Sequence, residues 1–299
     1  MIEGEPSQTA LQVAAARAAH LRFDPPPHLL EDRFAEKLLG EEAERLIAAY
    51  GDDAPWILRE NRLFLPFRAR YAEDLVARAH AEGVRQLVVL GAGLDSFALR
   101  RPAALADLRV FEVDHPATQR WKRRRLEAIG DSLPDSLAPS LVFVECDFEK
   151  MALADALRGS AFRADAPAVV SWLGVVYYLS KETVARALAE LRALLAPGSA
   201  VVLDYQFPVE SLPQRYRDVF AQQSAWLKGA GEPQVNRYRP DELRAVLLAA
   251  GFEGAELPER EALEARYFRA LGSEVRMAER FGMAVARVGE SHSTARSST

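Results

Sequence analysis

The chain has 299 residues, 49% of them apolar and 27% charged, a balance that excludes a disordered, collagenous or fibrous polypeptide and leaves room for one large domain or two small ones. Its 38 basic and 43 acidic residues give a net charge of −5, so no global basic field exists to hold a nucleic-acid backbone, and no nucleic-acid partner is expected. Cys146 stands alone and cannot form an internal disulfide, while His20, His28, His80, His115 and His292 are too scattered for a metal cluster.

The start, Met1-Ile2-Glu3-Gly4-Glu5, has neither the basic residues nor the apolar block of a signal peptide, and a cytoplasmic location is expected. Residues 8–80 read as helical: Ala-rich Thr9–Leu21, a Pro25-Pro26-Pro27 break, then apolar residues at helical spacing over Leu29–Tyr50. From residue 84 short β-branched runs alternate with amphipathic segments. The pattern predicts strands over Gln86–Leu90, Arg109–Val113, Leu141–Glu145, Ala168–Leu173 and Ala200–Tyr205, with helices near 95–104, 116–130, 150–158 and 181–196 between them. Such alternation implies parallel strands joined by right-handed crossovers, a doubly wound α/β sheet. The most apolar stretch, Ala166–Leu179, is shorter than the ~20 residues needed to cross a bilayer, so it reads as a buried strand with its exit loop and no membrane association is expected. Beyond Tyr205 a polar stretch runs to Arg239. Pro240-Asp241-Glu242-Leu243 then opens a helix ending at Gly251, and two further strands are expected near Phe252–Leu257 and Gly282–Val288, with a helix over 259–271 between them, which makes seven strands. Ser291–Thr299, small and polar, reads as a disordered tail.

Val88-Val89-Leu90-Gly91-Ala92-Gly93-Leu94-Asp95-Ser96 is an apolar strand running into a glycine turn and a helix. Glycine at 91 permits a tight turn, glycine at 93 lets a ligand approach the backbone, and the helix start offers unpaired N–H groups. The bland alternative is that both glycines only turn the chain. The next strand ends Phe111-Glu112-Val113-Asp114, which sets Asp114 23 residues beyond Gly91. That is near the spacing of about 20 at which an acid meets a ribose diol. Glu112 is the alternative, although Asp114 lies nearer the strand's carboxyl end. The third strand runs into Cys146-Asp147-Phe148, an acid that can accept from an adenine amino group beside a ring that can line the base. Three successive strands thus offer contacts to three parts of one adenosine ligand. A dinucleotide pyrophosphate commonly uses a third glycine where Ser96 stands, and Asp95 would set negative charge against it. S-adenosyl-L-methionine has no phosphate, and its ammonium suits an acid, so the charge favours the sulfonium cofactor over a nicotinamide dinucleotide.

The set Leu90-Gly91-Ala92-Gly93-Leu94-Asp95, Glu112-Val113-Asp114-His115-Pro116 and Asp147-Phe148, with Thr9-Ala10, Arg17-Ala18 and Phe67-Arg68-Ala69-Arg70 ahead of the first strand, resembles the leucine carboxyl methyltransferase-like family, and within it the bacterial branch of S-adenosyl-L-methionine-dependent O-methyltransferases. The likeness spans nearly the whole chain. It implies a class I methyltransferase (Rossmann-like) fold of seven strands, the last antiparallel, with a helical cover over residues 1–80 and a methyltransferase domain over 81–290. Residues 206–240 fall where such enzymes place a substrate cover. The resemblance further implies that Gly91, Ala92 and Gly93 border the cofactor, that Asp114 holds the ribose, and that Asp147 and Phe148 frame the adenine. Arg68, with Arg70 as alternate, would pair with the methionyl carboxylate, a role suited to a guanidinium. One departure stands out: many relatives carry a glutamate where this chain has Leu173, in Ser171-Trp172-Leu173-Gly174. Leucine accepts no hydrogen bond, which leaves the ammonium to backbone carbonyls or Asp95.

Methyl transfer from a sulfonium is an in-line displacement, so an enzyme chiefly supplies proximity, alignment and exclusion of water. A carboxyl acceptor needs no base, whereas a hydroxyl acceptor wants one. The candidates are His115, which could instead cap a helix, and Tyr177 and Tyr178, which could instead pack or line a pocket. Within 206–240, Phe207, Tyr216, Phe220, Trp226 and Tyr238 suggest either an apolar acceptor or a helical insert with a core of its own. Lys122-Arg123-Arg124-Arg125, the one basic cluster, reads as a solvated helix face. The expected protein is an O-methyltransferase for the carboxyl or hydroxyl of a small molecule, a monomer or homodimer; a nicotinamide-dependent oxidoreductase and a catalytically silent cofactor-binding protein are the alternatives.

Overall fold

The computed structural model describes residues 7–289 apart from 135, 136, 138, 139, 149, 230, 232 and 273, with the backbone alone for 221–228. The expected tail Ser291–Thr299 lies outside the described residues. Four helices precede the first strand: α1 (Gln8–Phe23), α2 (Ala35–Leu39), α3 (Ala43–Ala48) and α4 (Trp56–Ala81). The hydroxyl of Ser7 starts α1 by accepting from the Ala10 N–H at 3.1 Å. Asp24 ends it, extended at ψ 141° because it precedes Pro25.

Strands and helices then alternate: β1 (Gln86–Leu90), α5 (Phe97–Arg100), β2 (Arg109–Asp114), α6 (Pro116–Ile129), β3 (Leu141–Glu145), α7 (Leu153–Arg158), β4 (Ala168–Trp172), α8 (Lys181–Leu194), β5 (Ala200–Gln206), α9 (Gln214–Gly229), α10 (Pro240–Ala249), β6 (Gly254–Glu256), α11 (Arg260–Leu263) and β7 (Phe281–Arg287). Two predicted helices come out broken. The one near 95–104 is only the four residues of α5, because Pro102 follows, and a short 3-10 turn at Ala103–Leu105 completes it. The one over 259–271 passes from α11 into a π turn at Glu264–Phe268 and a 3-10 turn at Arg269–Leu271.

The sheet has the order β3-β2-β1-β4-β5-β7-β6. β1 to β5 are parallel, and β7 runs antiparallel between β5 and β6. β1, β4 and β5 are buried along their whole length, which is why they read as unbroken apolar runs. Alternation still sorts their side chains: Leu87 and Val89 of β1 join a core with α1 to α4, whereas Val88 and Leu90 join one with α7, α8 and α10. Among the described residues no helix is long and apolar enough to cross a membrane. The chain leaves β1 toward one edge and returns at β4 toward the other, so the carboxyl ends of β1 and β4 flank a topological switch point, the place where open α/β sheets hold ligands.

Candidate cofactor and acceptor site

The turn leaving β1 has Gly91 at φ 62° and Gly93 at φ 50°, the left-handed region that favours glycine. Space is as tight as the dihedrals. A Cβ at 91 would lie 2.3 Å from Val175 Cγ2, and one at 93 would lie 3.1 Å from Ala10 Cβ on α1. Across this turn, at the end of β2, Asp114 accepts hydrogen bonds from the N–H of Gly93 and of His115, the latter at 2.6 Å. Burial pushes its carboxyl up while those two N–H groups pull it down. The structure therefore brings the glycine turn and Asp114 together.

Glu112, the alternative acid, is 1% exposed and its carboxylate is taken by a buried ion pair with Lys122. Burial pushes its carboxyl up to about 7, against the pull of Lys122. Lys122 also donates to the Asp95 carbonyl at 2.7 Å and is itself 1% exposed. The solvated-face expectation for Lys122–Arg125 is corrected accordingly: Arg123 and Arg124 are exposed, but Lys122 is core and Arg125 donates to the Leu38 carbonyl at 3.2 Å.

At the end of β3, Asp147 Oδ2 lies 3.8 Å from His115 Nε2 and 3.0 Å from Lys150 Nζ. Phe148 is partly buried against the core that holds α7 and α8. His115 Nδ1 accepts from the Ala117 N–H at 3.2 Å and caps α6, with Pro116 at its first position, so the capping alternative is the one observed.

Arg68 reaches the switch point from α4. It is 5% exposed, and its Nη1 donates to Asp204 Oδ2 at 2.9 Å and to the Tyr177 hydroxyl at 3.0 Å. Asp204, fully buried in β5, also accepts from the Gly174 N–H at 2.6 Å. A Cβ at Gly174, whose φ is 76°, would meet Arg68 Nη2 at 2.6 Å, so glycine here lets the guanidinium lie against the backbone leaving β4. Arg70, the alternate, is half-exposed and paired with Asp74 at 2.8 Å. Burial, reinforced by Asp204, pushes the Tyr177 phenol above the ordinary tyrosine range, and its hydroxyl accepts from Arg68. Tyr178 packs on it with ring centroids 4.9 Å apart and is partly exposed.

One set of residues went unforeseen. Arg17 donates to Asp32 Oδ2 at 2.7 Å and to the Leu94 carbonyl, inside the glycine turn, at 2.6 Å. Ser96 gives its hydroxyl to the same Asp32 oxygen at 2.6 Å, and Arg100 donates to Ser96 Oγ at 3.0 Å and to Glu73 at 2.8 Å. Burial alone would raise the Asp32 carboxyl; Arg17 and Arg100 outweigh it and hold the group below its ordinary value. A usable signal existed in the run Ala14-Ala15-Ala16-Arg17-Ala18-Ala19: a helix apolar all round is buried, and an arginine within it needs an acid.

The aromatic residues of 206–240 settle into packing. Tyr216 and Phe220 form a small core with Leu212, against which Trp56 and Ile57 of α4 pack. Tyr238 is 1% exposed in the core shared with α7, α8 and α10, and Phe207 meets Tyr205 edge-on at 5.3 Å. Of the two readings, Tyr216 and Phe220 follow the one of an insert with its own core, while Tyr238 packs elsewhere; the Trp226 side chain lies outside the described residues. The end of this insert still roofs the exit of β4, since the N–H groups of Val235 and Asn236 donate to the Tyr177 carbonyl at 2.8 and 3.2 Å.

These residues suit a nucleoside joined to an amino acid better than a diphosphate. The cations around the glycine turn, Arg17, Arg100 and Lys122, are held by Asp32, Glu73 and Glu112, and Asp95 and Asp114 flank the turn with negative charge. Comparison with known proteins points the same way. A "Putative S-adenosyl-L-methionine-dependent methyltransferase YktD" of Bacillus subtilis is 31% identical over 276 residues, 84% of this chain and 88% of that protein. SCO6443 of Streptomyces coelicolor, which bears the same designation, is 33% identical over 226 residues, 73% of this chain and 71% of its own. Among solved structures, a "putative methyltransferase" of Thermobifida fusca matches with a TM-score of 0.57 at 18% identity, covering 96% of this chain and 97% of that one. A duf574 family protein of Streptomyces avermitilis matches equally at 0.57 and 16% identity, covering 96% and 100%. At those identities the likeness speaks for the shared fold. The sequence model described as leucine carboxyl methyltransferase matches residues 10–192, which run from the helix pressed on Gly93 through Arg68, the glycine turn, Asp114 and Asp147 into α8; the chain belongs to the leucine carboxyl methyltransferase family.

Proposed function

We propose that the protein transfers the methyl group of S-adenosyl-L-methionine to an oxygen of a small molecule. The observation that carries this is the meeting of the Gly91–Gly93 turn with Asp114 at the switch point, with Asp147 and Phe148 just past the end of β3 and Arg68 arriving from α4. In this reading Gly91, Ala92 and Gly93 border the cofactor. Asp114 receives the ribose hydroxyls in the lone pairs left by Gly93 and His115, and Asp147 and Phe148 frame the adenine. Arg68 faces the methionyl carboxylate with Nη2 while Asp204 and Tyr177 hold Nη1. Leu173 shares a small cavity with Asp95 and Glu73, so Asp95 takes the ammonium that a glutamate at 173 would have held. Residues 1–80 act as the cover and 81–290 as the methyltransferase domain, with 206–240 as its roof.

The bound cofactor supplies an already activated methyl group. What the chain adds is alignment and exclusion of water: α1 presses on the turn through Ala10, and the roof closes over Tyr177. A carboxyl acceptor, which needs no base, suits a site where Tyr177 is bound to Arg68 and His115 is engaged in a helix cap; Tyr178 is the base left for a hydroxyl acceptor. Calorimetry with S-adenosylhomocysteine tests the reading. The native chain should bind it and Asp114→Ala should bind it more weakly; no binding, or equal affinity in the variant, would count against a methyltransferase. Binding of NADH instead would support the oxidoreductase alternative, and product binding without turnover in an acceptor screen would support the silent one.

A further inference from the structure

Desolvation leaves a buried ion pair with little net stability over packed apolar side chains, so one placed at a ligand site calls for another role. Arg68 and Asp204 are such a pair. The pairing of β4 with β5 ends at Trp172↔Leu203, which sets Asp204 one residue farther on, abreast of the exit of β4. Its side chain is wholly buried and both oxygens are committed: Oδ2 accepts from Arg68 Nη1 at 2.9 Å and Oδ1 from the Gly174 N–H at 2.6 Å.

The arginine is committed on one nitrogen only. Nη1 donates to Asp204 and to the Tyr177 hydroxyl, the latter at 3.0 Å. Among the described residues Nε and Nη2 make no hydrogen bond, and neither is one of the unpaired nitrogens sealed from solvent. What exposure the pair keeps, 5% for Arg68 and none for Asp204, belongs to the arginine. Nη2 lies against Gly174, where a Cβ would stand 2.6 Å from it. Burial alone would pull the guanidinium below its ordinary value, and Asp204 outweighs that effect. The result is a charged fork held at one tip and free along the opposite edge.

We propose that Asp204 and Tyr177 are positioning residues for the cofactor: by occupying Nη1 they aim Nε and Nη2 at the methionyl α-carboxylate, and so set the enzyme's preference for a donor that carries that carboxylate. The inference rests on the methyltransferase reading above and deepens the role given there to Arg68. A guanidinium grips a carboxylate through two parallel N–H bonds, and Nε with Nη2 forms one such edge. An unanchored arginine would lose its rotamer freedom on binding, a cost that the two anchors remove beforehand. The charge of Asp204 opposes an incoming carboxylate, but it meets the guanidinium at Nη1, the corner opposite the free edge, so orientation outweighs repulsion. Both residues act through Arg68 and neither takes part in the transfer.

The probes are S-adenosylhomocysteine and decarboxylated S-adenosylhomocysteine, which keeps the adenosine and the ammonium, each titrated calorimetrically into the full-length protein. The native chain should prefer S-adenosylhomocysteine by about tenfold or more. Asp204→Asn offers one oxygen to two donors and turns an NH2 on the other. It should erase most of the preference by weakening S-adenosylhomocysteine alone, with the decarboxylated ligand held within about twofold. Tyr177→Phe removes the second anchor, should cut the preference by about threefold in the same way, and carries the test if Asp204→Asn fails to fold. A substitution that only damaged the structure would weaken both ligands alike. That result, an unchanged preference in the variants, or tighter S-adenosylhomocysteine binding in Asp204→Asn would each overturn the assignment. Equal native affinity for the two probes would overturn it as well and leave the methyltransferase reading standing, whereas that reading fails if the native chain binds no S-adenosylhomocysteine.

Discussion

Arg17 and Arg280 are both buried and both face an acid, yet they are finished differently. Arg17 spends its Nε and Nη2 on Asp32 and the Leu94 carbonyl at 2.7 and 2.6 Å, and Asp32 also accepts from Ser96 and from the N–H groups of Phe34 and Ala35. Arg280 leaves Nε and Nη1 without hydrogen bonds. A saturated buried network gives a fixed shape, and this one bolts the N-terminal cover to the glycine turn. The unsaturated one leaves its ion pair, Arg280 Nη1 with Glu60 Oε2, at 3.8 Å.

The sharpest way to break the comparison is at Asp32. Removing one partner of a buried ion pair costs about 3–5 kcal/mol, so Asp32→Ala should lose that much in urea unfolding at neutral pH, against about 1 kcal/mol or less for Glu60→Gln. Equal losses would mean the two clusters are alike. The pH dependence follows from the lowered Asp32 carboxyl: its contribution is complete above the ordinary aspartate range and fades as the pH falls through its lower folded value, a decline that Asp32→Asn should flatten. Next in size, Asp114→Ala should reduce affinity for S-adenosylhomocysteine by about 1.5–3 kcal/mol, measured by calorimetry, while thermal unfolding keeps its single transition. Gly93→Ala comes third. At φ 50° and 3.1 Å from Ala10 it should cost about 1–2 kcal/mol of stability and loosen α1, seen as faster amide exchange over Gln8–Phe23. The smallest effect is His115→Ala, a lost cap worth about 1 kcal/mol or less, with the initial rate of methylation unchanged.

How much of this was legible depends on which forces are local. β1 and β3 have the predicted bounds, and β2, β4 and β5 differ by one residue, because β-branched runs between turn signals are read locally. Gly91, Gly93 and Asp114 were legible for a similar reason: a strand, a turn and the next strand fix their neighbourhood within 23 residues. The pairings that escaped reading are polar and distant. Arg68 with Asp204 spans 136 positions, and Ser96 with Asp32 spans 64. No periodicity announces which buried cation meets which acid. Lys122 escapes any reading that treats a basic run on a helix as one face, because a helix turns one of four consecutive residues inward.

The direction of β7 has one more effect. Since it opposes its neighbours, the ligand-bearing rim of the sheet receives the start of this strand beside the ends of β4 and β5, with Phe281 opposite Gln206. The pairing from Gln206↔Phe281 to Ala200↔Arg287 anchors the strand itself, so the stretch just before Phe281 can be rewritten without disturbing the parallel pairing of β1, β2 and β3.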